Sequence, residues 1–143
     1  MKRVEEAVLC FGSGFNCSQA IISTYGKDHG LDSALALRIA SGFGGGMGRQ
    51  CKTCGAVTGA YMVLGLKYGY ISAQDIDGKE KMYGLIREFA RRFRERNQST
   101  KCEDLLGVHL LTGDKERVTQ QVKLICPKMI RDSAEILEEL LKH

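Results

Sequence analysis

Four of the six cysteines in this 143-residue chain lie where the sequence predicts that a helix begins. Each has a capping signal beside it: Asn16 before Cys17, Thr53 before Cys54, a T-x-x-E box of Thr100 and Glu103 around Cys102, and Pro127 after Cys126. The partial positive charge and free N–H groups of a helix N-terminus favour thiolate over thiol. Since thiolates bind metals, attack disulfides and ligate iron–sulfur clusters, the pattern favours redox or metal chemistry.

Cysteine also serves as a small buried hydrophobe, and this interpretation competes at each position taken singly. Cys10 fits it best, because it lies within a predicted helix beside Phe11. The shared position at a predicted helix start favours a chemical role for the other four signal-bearing cysteines, which are Cys17, Cys54, Cys102 and Cys126.

Cys51 and Cys54 form a C-x-x-C pair, a spacing that allows either a disulfide or a shared metal. In a metal-free disulfide mechanism, the Cys54 thiolate would attack, and Cys51 or another of the helix-start cysteines would resolve the mixed disulfide. The strand that precedes this motif in thioredoxins is missing, and no second C-x-x-C completes a zinc ribbon. Thiol–disulfide redox and a structural zinc site therefore stay open as alternatives.

A glycine-rich loop leads into this pair, with five glycines between positions 42 and 48. Glycine lets the backbone approach a ligand closely and lets its N–H groups point at an anion or a sulfide. The candidate cofactor-binding residues of the loop are Gly44, Gly45, Gly46 and Gly48. A nucleotide-binding P-loop is not favoured, because Cys51 replaces its second glycine and the preceding segment is helical rather than a strand.

The elements that must bring the cysteines together are helices. One proline and the 3.6-residue periodicity predict an all-α protein, a single-domain bundle over residues 1–143 with a glycine-rich loop before the central helix. About six helices are expected. The first five cover residues 2–11, 17–30, 33–40, 53–68 and 72–97, and a short turn follows at 102–106. The chain then continues as helix over 115–125 and 127–142, either as two separate stretches or as one helix kinked at Pro127. Small residues on helix 53–68 allow a close helix crossing or a homodimer contact.

Composition excludes several classes of function. No run of 18 apolar residues predicts a membrane span, and the first residues lack a secretory signal, so we expect a cytoplasmic protein with reduced thiols. The net charge of +4 is modest, and the arginines of helix 72–97 alternate with glutamates, so nucleic acid is not an expected partner. His29, His109 and His143 are scattered and fit surface positions.

The chain resembles the redox-active protein family named for its C–GCAxxG–C–C signature. Its first cysteine matches Cys17 in the segment FNCSQA, and the central motif matches Cys54-Gly55-Ala56-Val57-Thr58-Gly59 in the order C-G-A-x-x-G. The third and fourth match Cys102 before EDLLG and Cys126 before Pro127 and Lys128. The resemblance covers nearly the whole chain and leaves Cys10 and Cys51 outside the signature.

This resemblance implies a redox-active protein, either an oxidoreductase or an electron carrier. The family looks related to the cluster-binding part of split-Soret cytochromes, which implies an iron–sulfur cluster as cofactor. We therefore expect electron transfer through a cluster held by Cys17, Cys54, Cys102 and Cys126, with a redox partner protein that the sequence does not identify.

Overall fold

In the computed structural model, which describes residues 1–142, the chain forms seven helices and its described part contains no strand. The helices are α1 (Lys2–Gly12), α2 (Cys17–Gly26), α3 (Ser33–Ala40), α4 (Gly55–Tyr68), α5 (Ile76–Asn97), α6 (Cys102–Leu106) and α7 (Lys115–Leu141). A short 3₁₀ turn, Lys27–His29, continues α2. The prediction of an all-α bundle with a glycine-rich loop before the central helix is confirmed.

Local capping fixes the start of α2 as the sequence predicts. The Asn16 side chain accepts a hydrogen bond from the Gln19 backbone N–H at 2.8 Å, and the Gln19 side chain accepts one from the Asn16 N–H at 3.0 Å. This reciprocal capping box satisfies two N–H groups that have no partner within the helix. The side chains of Asp32 and Asp75 cap α3 and α5 by accepting a hydrogen bond from the backbone N–H three residues later, and α5 begins four residues later than predicted.

Helix α4 is the centre of the bundle, and its glycines let it lie directly against α2. A Cβ atom built on Gly59 would stand 2.9 Å from the Ser18 carbonyl oxygen and 3.0 Å from the Ile21 Cβ. One built on Gly55 would stand 3.1 Å from the Cys17 Cβ. Both glycines are therefore needed for the crossing, although glycine inside a helix costs conformational entropy.

The remaining helices pack around this crossing and bury one principal core. Helix α5 contributes Phe89 and Phe93, whose stacked rings lie 6.3 Å apart, centroid to centroid. Helix α7 contributes its C-terminal half, and its Ser133 hydroxyl donates a 2.7 Å hydrogen bond to the Ala56 carbonyl on α4. This bond places the second half of α7 across the start of α4.

The last helix agrees with one of the two expectations. The chain from Lys115 to Leu141 is one helix with Pro127 inside it, rather than two separate stretches. All of its buried residues lie between Met129 and Leu140, so only its second half enters the core. No helix of residues 1–142 is long and apolar enough to span a bilayer.

Replacing Gly59 by Ala tests the crossing of α2 and α4. We expect the substitution to lower the free energy of unfolding by about 1–3 kcal/mol, because the added methyl group meets backbone that cannot move aside. Gly65 is the matched control on the same helix, since a Cβ there meets nothing within 4 Å. Gly65→Ala should instead raise the free energy of unfolding by about 0.5–1 kcal/mol. Denaturant titration monitored by circular dichroism measures both, and equal effects would contradict the close crossing.

Candidate functional site

Four cysteines from four helices line a single cavity of about 880 Å³. They are Cys17 at the start of α2, Cys54 before α4, Cys102 at the start of α6 and Cys126 within α7. The cavity lies between the glycine-rich loop on one side and the first half of α7 on the other. The same four cysteines are those that the capping pattern selected.

The first of them is held by the capping box of α2. Besides capping that helix, Asn16 donates hydrogen bonds through its Nδ2 to the carbonyl oxygens of Ala40 and Ser41, at 3.3 and 3.2 Å. The start of α2 is thereby tied to the end of α3, immediately before the glycine-rich loop. Cys17, as the first residue of α2, takes its position from this junction.

Cys54 and Cys102 are fixed relative to one another by backbone pairing. The Cys54 N–H donates to the Thr100 carbonyl at 2.8 Å, and the Cys102 N–H donates to the Lys52 carbonyl at 2.6 Å. Two of the predicted caps are wrong as a result. Thr53 pairs with Lys101 in an antiparallel bridge, which leaves Cys54 itself as the N-cap of α4. Lys101 precedes α6, and no side chain caps that helix.

The predicted helix start at Cys126 is also wrong. Cys126 lies in the middle of α7, because the helix continues through Pro127. A proline within a helix removes one N–H group and one intrahelical hydrogen bond without necessarily ending the helix. Cys126 therefore receives no helix N-terminus, and its place in the cavity wall comes from the position of α7 as a whole.

The glycine-rich loop forms the wall opposite α7, and the structure places Gly44, Gly45, Gly46 and Gly48 on the cavity surface. Gly45 and Gly46 adopt left-handed backbone angles, with φ of 64° and 66°. A Cβ on Gly46 would lie 2.5 Å from the Lys52 backbone nitrogen and 2.8 Å from the Cys102 Cβ. Only glycine can therefore bring this loop so close to Cys102.

Cys51 packs in a different part of the protein core from Cys54, the other cysteine of the C-x-x-C pair. Its side chain is fully buried, and its Sγ accepts a hydrogen bond from the Leu110 N–H at 3.3 Å. It packs in a small cluster with Cys102 and Leu106, whereas Cys54 belongs to the principal core. The two thiols of the C-x-x-C pair thus lie in different apolar clusters.

The remaining predicted positions lie away from the cavity wall. Cys10 packs against the principal core, with its Sγ 3.6 Å from the Ser23 Oγ. His29 and His109 do not line the cavity, and the His109 Nδ1 accepts a hydrogen bond from the Leu111 N–H. His143 lies outside the described residues.

The expectation that helix starts make all four thiols acidic is wrong for three of them. Burial raises the pKa of Cys54 to about 12, although the N–H groups of Ala56 and Val57 act in the opposite direction. Burial, followed by the neighbouring thiols, raises the pKa of Cys102. The hydrogen bond to Cys126 and burial raise the pKa of Cys17. Desolvation and mutual repulsion of the thiolates therefore outweigh the helix N-termini.

Cys126 shows the opposite shift. Its half-buried thiol accepts a hydrogen bond from Cys17, which stabilises the thiolate and lowers its pKa. The cavity thus holds one thiol with a lowered pKa and three thiols with raised pKa values. Within residues 1–142, no group of three or more His, Cys, Asp or Glu side chains is arranged to hold a metal ion.

Sequence reasoning missed the basic residues of the cavity. Arg49, Lys115 and Lys123 all line it and are exposed, and no aspartate or glutamate does. Val122, Lys123 and Cys126 follow Lys115 at spacings of 7, 8 and 11 residues, which place all four on one face of α7. This helical spacing relative to Cys126 could have identified Lys115 and Lys123 from the sequence.

A family model described as "Putative redox-active protein (C_GCAxxG_C_C)" matches residues 15–140 of the chain. The match spans all four helix segments that carry the cavity cysteines. No curated protein and no solved structure matches the chain significantly.

The opposite pKa shifts of Cys54 and Cys126 predict different pH profiles of alkylation in reduced, metal-free protein. At about pH 8, a thiol with a pKa of about 12 is ionised to roughly one part in ten thousand, so Cys54 should react slowly and accelerate throughout the alkaline range. The rate at Cys126 should level off at a lower pH. Iodoacetamide labelling with peptide mass mapping measures each rate. Guanidinium-unfolded protein is the control, in which the two profiles should coincide, and coinciding profiles in the folded protein would contradict the assignment.

Proposed function

The chain belongs to the family of redox-active proteins that carries the C_GCAxxG_C_C signature, and on this premise we propose that it transfers electrons through an iron–sulfur cluster held by Cys17, Cys54, Cys102 and Cys126. Family membership supports the redox role. The observation that carries the finer proposal is the convergence of these four thiols, from distant parts of the chain, on one cavity.

The chemistry of the donor set fits a cluster. Four cysteine thiolates are the usual ligands of iron–sulfur centres. In the protein alone, the hydrogen bond to Cys126 and burial raise the pKa of Cys17, burial raises the pKa of Cys102, and repulsion between neighbouring thiolates adds to both shifts. A bound iron centre supplies the positive charge that this arrangement lacks and favours deprotonated ligands. The shifts therefore agree with a site whose thiols ionise when the cofactor binds.

The surroundings of the thiols suit an electron-transfer centre. When bound, the cluster accepts and releases single electrons. The residues of the chain hold it, exclude water and set its potential, which depends on burial and on hydrogen bonds to the sulfurs. Apolar side chains of Leu105, Leu106, Val122 and Met129 line the cavity, and Cys54 and Cys102 are 5% and 7% exposed. The glycine-rich loop lies close enough to offer backbone N–H groups.

Replacing Cys54 by Ser tests the ligand set. We expect the variant to lose the visible absorption, iron and acid-labile sulfide of anaerobically purified protein, because the Cys54 thiolate is lost from a four-thiolate set. Cys10→Ser is the matched control. Cys10 is half-buried, as Cys126 is, but it lies outside the cavity wall. It should retain full cluster content.

Two outcomes would contradict the proposal. One is a Cys54→Ser protein with unchanged iron and sulfide. The other is a wild-type protein that stays colourless and metal-free after anaerobic reconstitution with iron and sulfide. Stoichiometric zinc without a redox response would instead favour a structural metal site.

The rim of the cavity favours an acidic redox partner. Arg49, Lys115 and Lys123 are exposed there, and among residues 1–142 none of the three forms an ion pair. Leu111, on the same rim, is 63% exposed and offers an apolar contact. Electron-transfer encounters are small and steered by complementary charge. A small acidic electron-carrier protein has the complementary surface.

Reversing the three rim charges tests this partner. With a reduced acidic ferredoxin as donor at low salt, the triple change Arg49→Glu, Lys115→Glu and Lys123→Glu should slow bimolecular electron transfer by about tenfold or more. The control reverses three exposed cations of α5, Lys79, Lys81 and Arg87, and alters the net charge equally. Stopped-flow absorbance measures both rates. Equal slowing in the two variants would show that net charge alone matters and would contradict a rim-specific contact.

A further inference from the structure

Cys51 is a buried thiol for which the four-cysteine site has no role. It lies outside the family signature, and it does not line the cavity. Its side chain is 0% exposed, and its backbone is left-handed, with φ of 61°. A residue with a Cβ pays about 1–2 kcal/mol for that conformation, so the surrounding structure must hold Cys51 in place.

The surroundings hold it against Cys102. The Glu103 N–H donates to the Cys51 carbonyl at 3.3 Å, beside the bond from the Cys102 N–H to the Lys52 carbonyl. The two cysteine side chains share one small apolar cluster, and a Cβ built on Gly46 would lie 2.8 Å from both the Cys102 Cβ and the Cys51 carbonyl carbon. The Leu110 N–H, 3.3 Å from the Cys51 Sγ, fixes the orientation of that sulfur.

Cys54, three residues further along the chain, packs in the principal core together with Cys17, and its thiol interacts with those of Cys126 and Cys102. The short spacing between Cys51 and Cys54 therefore does not make them the preferred pair. Backbone hydrogen bonds that hold two cysteine side chains in one cluster give their thiols a high effective concentration toward each other, and this favours Cys51 with Cys102.

We propose that Cys51 is the disulfide partner of Cys102, and that oxidation of this pair withdraws Cys102 from the cavity site. The disulfide chemistry depends only on the two thiols. Its consequence for the cofactor rests on the proposed function, since a cluster that needs four thiolates would then have three.

The oxidant that this step needs is a low-molecular-weight disulfide such as glutathione disulfide. Cys102, which faces the cavity, attacks one sulfur of glutathione disulfide as its thiolate, and the glutathione S–S bond breaks. One glutathione leaves and takes up a proton. The Cys51 thiolate then attacks the Cys102 sulfur of the mixed disulfide, and the second glutathione leaves. Two electrons and the two thiol protons have passed from the protein to two glutathione molecules.

The pairing is measured at equilibrium in metal-free protein. Wild type, Cys51→Ser and Cys54→Ser are equilibrated anaerobically in glutathione buffers of increasing oxidised fraction, then acid-quenched, alkylated and digested with trypsin. Cleavage after Lys52 separates Cys51 from Cys54, so their disulfide-linked peptides have different masses. We expect the Cys51–Cys102 linked peptide to account for most of the oxidised Cys102 in wild type and in Cys54→Ser. It should be absent from Cys51→Ser.

A dominant Cys51–Cys54 linkage, or a Cys102 that stays reduced while other thiols oxidise, would overturn the proposal. The same samples are then offered iron and sulfide. Preoxidation should sharply lower cluster uptake by wild type and leave uptake by Cys51→Ser near its reduced level. Equal loss in both would overturn the link to the cavity site. If reduced wild type itself assembles no cluster, the proposed cofactor fails, and the peptide map still decides the disulfide independently.

Discussion

The absence of a side chain at Gly55 and Gly59 is the constraint on which the arrangement of the cysteines depends. It lets α4 lie against α2 at a separation that leaves a Cβ on either glycine only about 3 Å from atoms of α2. Because Cys17 begins α2 and Cys54 precedes α4, the same contact that closes the core brings two of the four thiols together. Packing and site geometry are therefore set by one interaction, and neither can change without the other.

The other two cavity thiols, those of Cys102 and Cys126, are positioned by other interactions. Cys102 is brought to Cys54 by backbone hydrogen bonds between two irregular segments, which need Gly46 beside them. Cys126 is carried by a helix whose fully buried side chains all lie in its second half. Without a cofactor, most of these thiols are buried and neutral, so they behave as small hydrophobes. If the proposed cofactor binds, the two interpretations of cysteine, as core residue and as ligand, describe the same side chains in two charge states.

Much of the fold could be predicted because it depends on local signals. The capping box of Asn16 and Gln19 involves neighbours in the sequence, and the prediction of an all-α bundle follows from periodicity. The failures have long-range causes. The predicted capping box of Thr100 and Glu103 does not form, because this segment pairs through its backbone with residues 51–54. No local sequence pattern encodes that pairing. The prediction of acidic thiols failed because a pKa depends on burial and on distant charges. The partner of Cys51 is likewise set by a segment about fifty residues away.

Helix α7 joins two regions of unequal stability. Residues 129–140 are locked into the core, while residues 115–126 contribute no buried side chain and have a proline at their junction with the locked half. Free energies of local opening follow buried contacts, so the first half of α7, which is held by half-buried side chains and by a hydrogen bond from the Gln121 side chain to the Leu106 carbonyl, should open more readily than the second half. The cavity wall that carries Cys126 therefore belongs to the less deeply buried half of α7, so the access of small reagents to this thiol depends on local opening rather than on global unfolding.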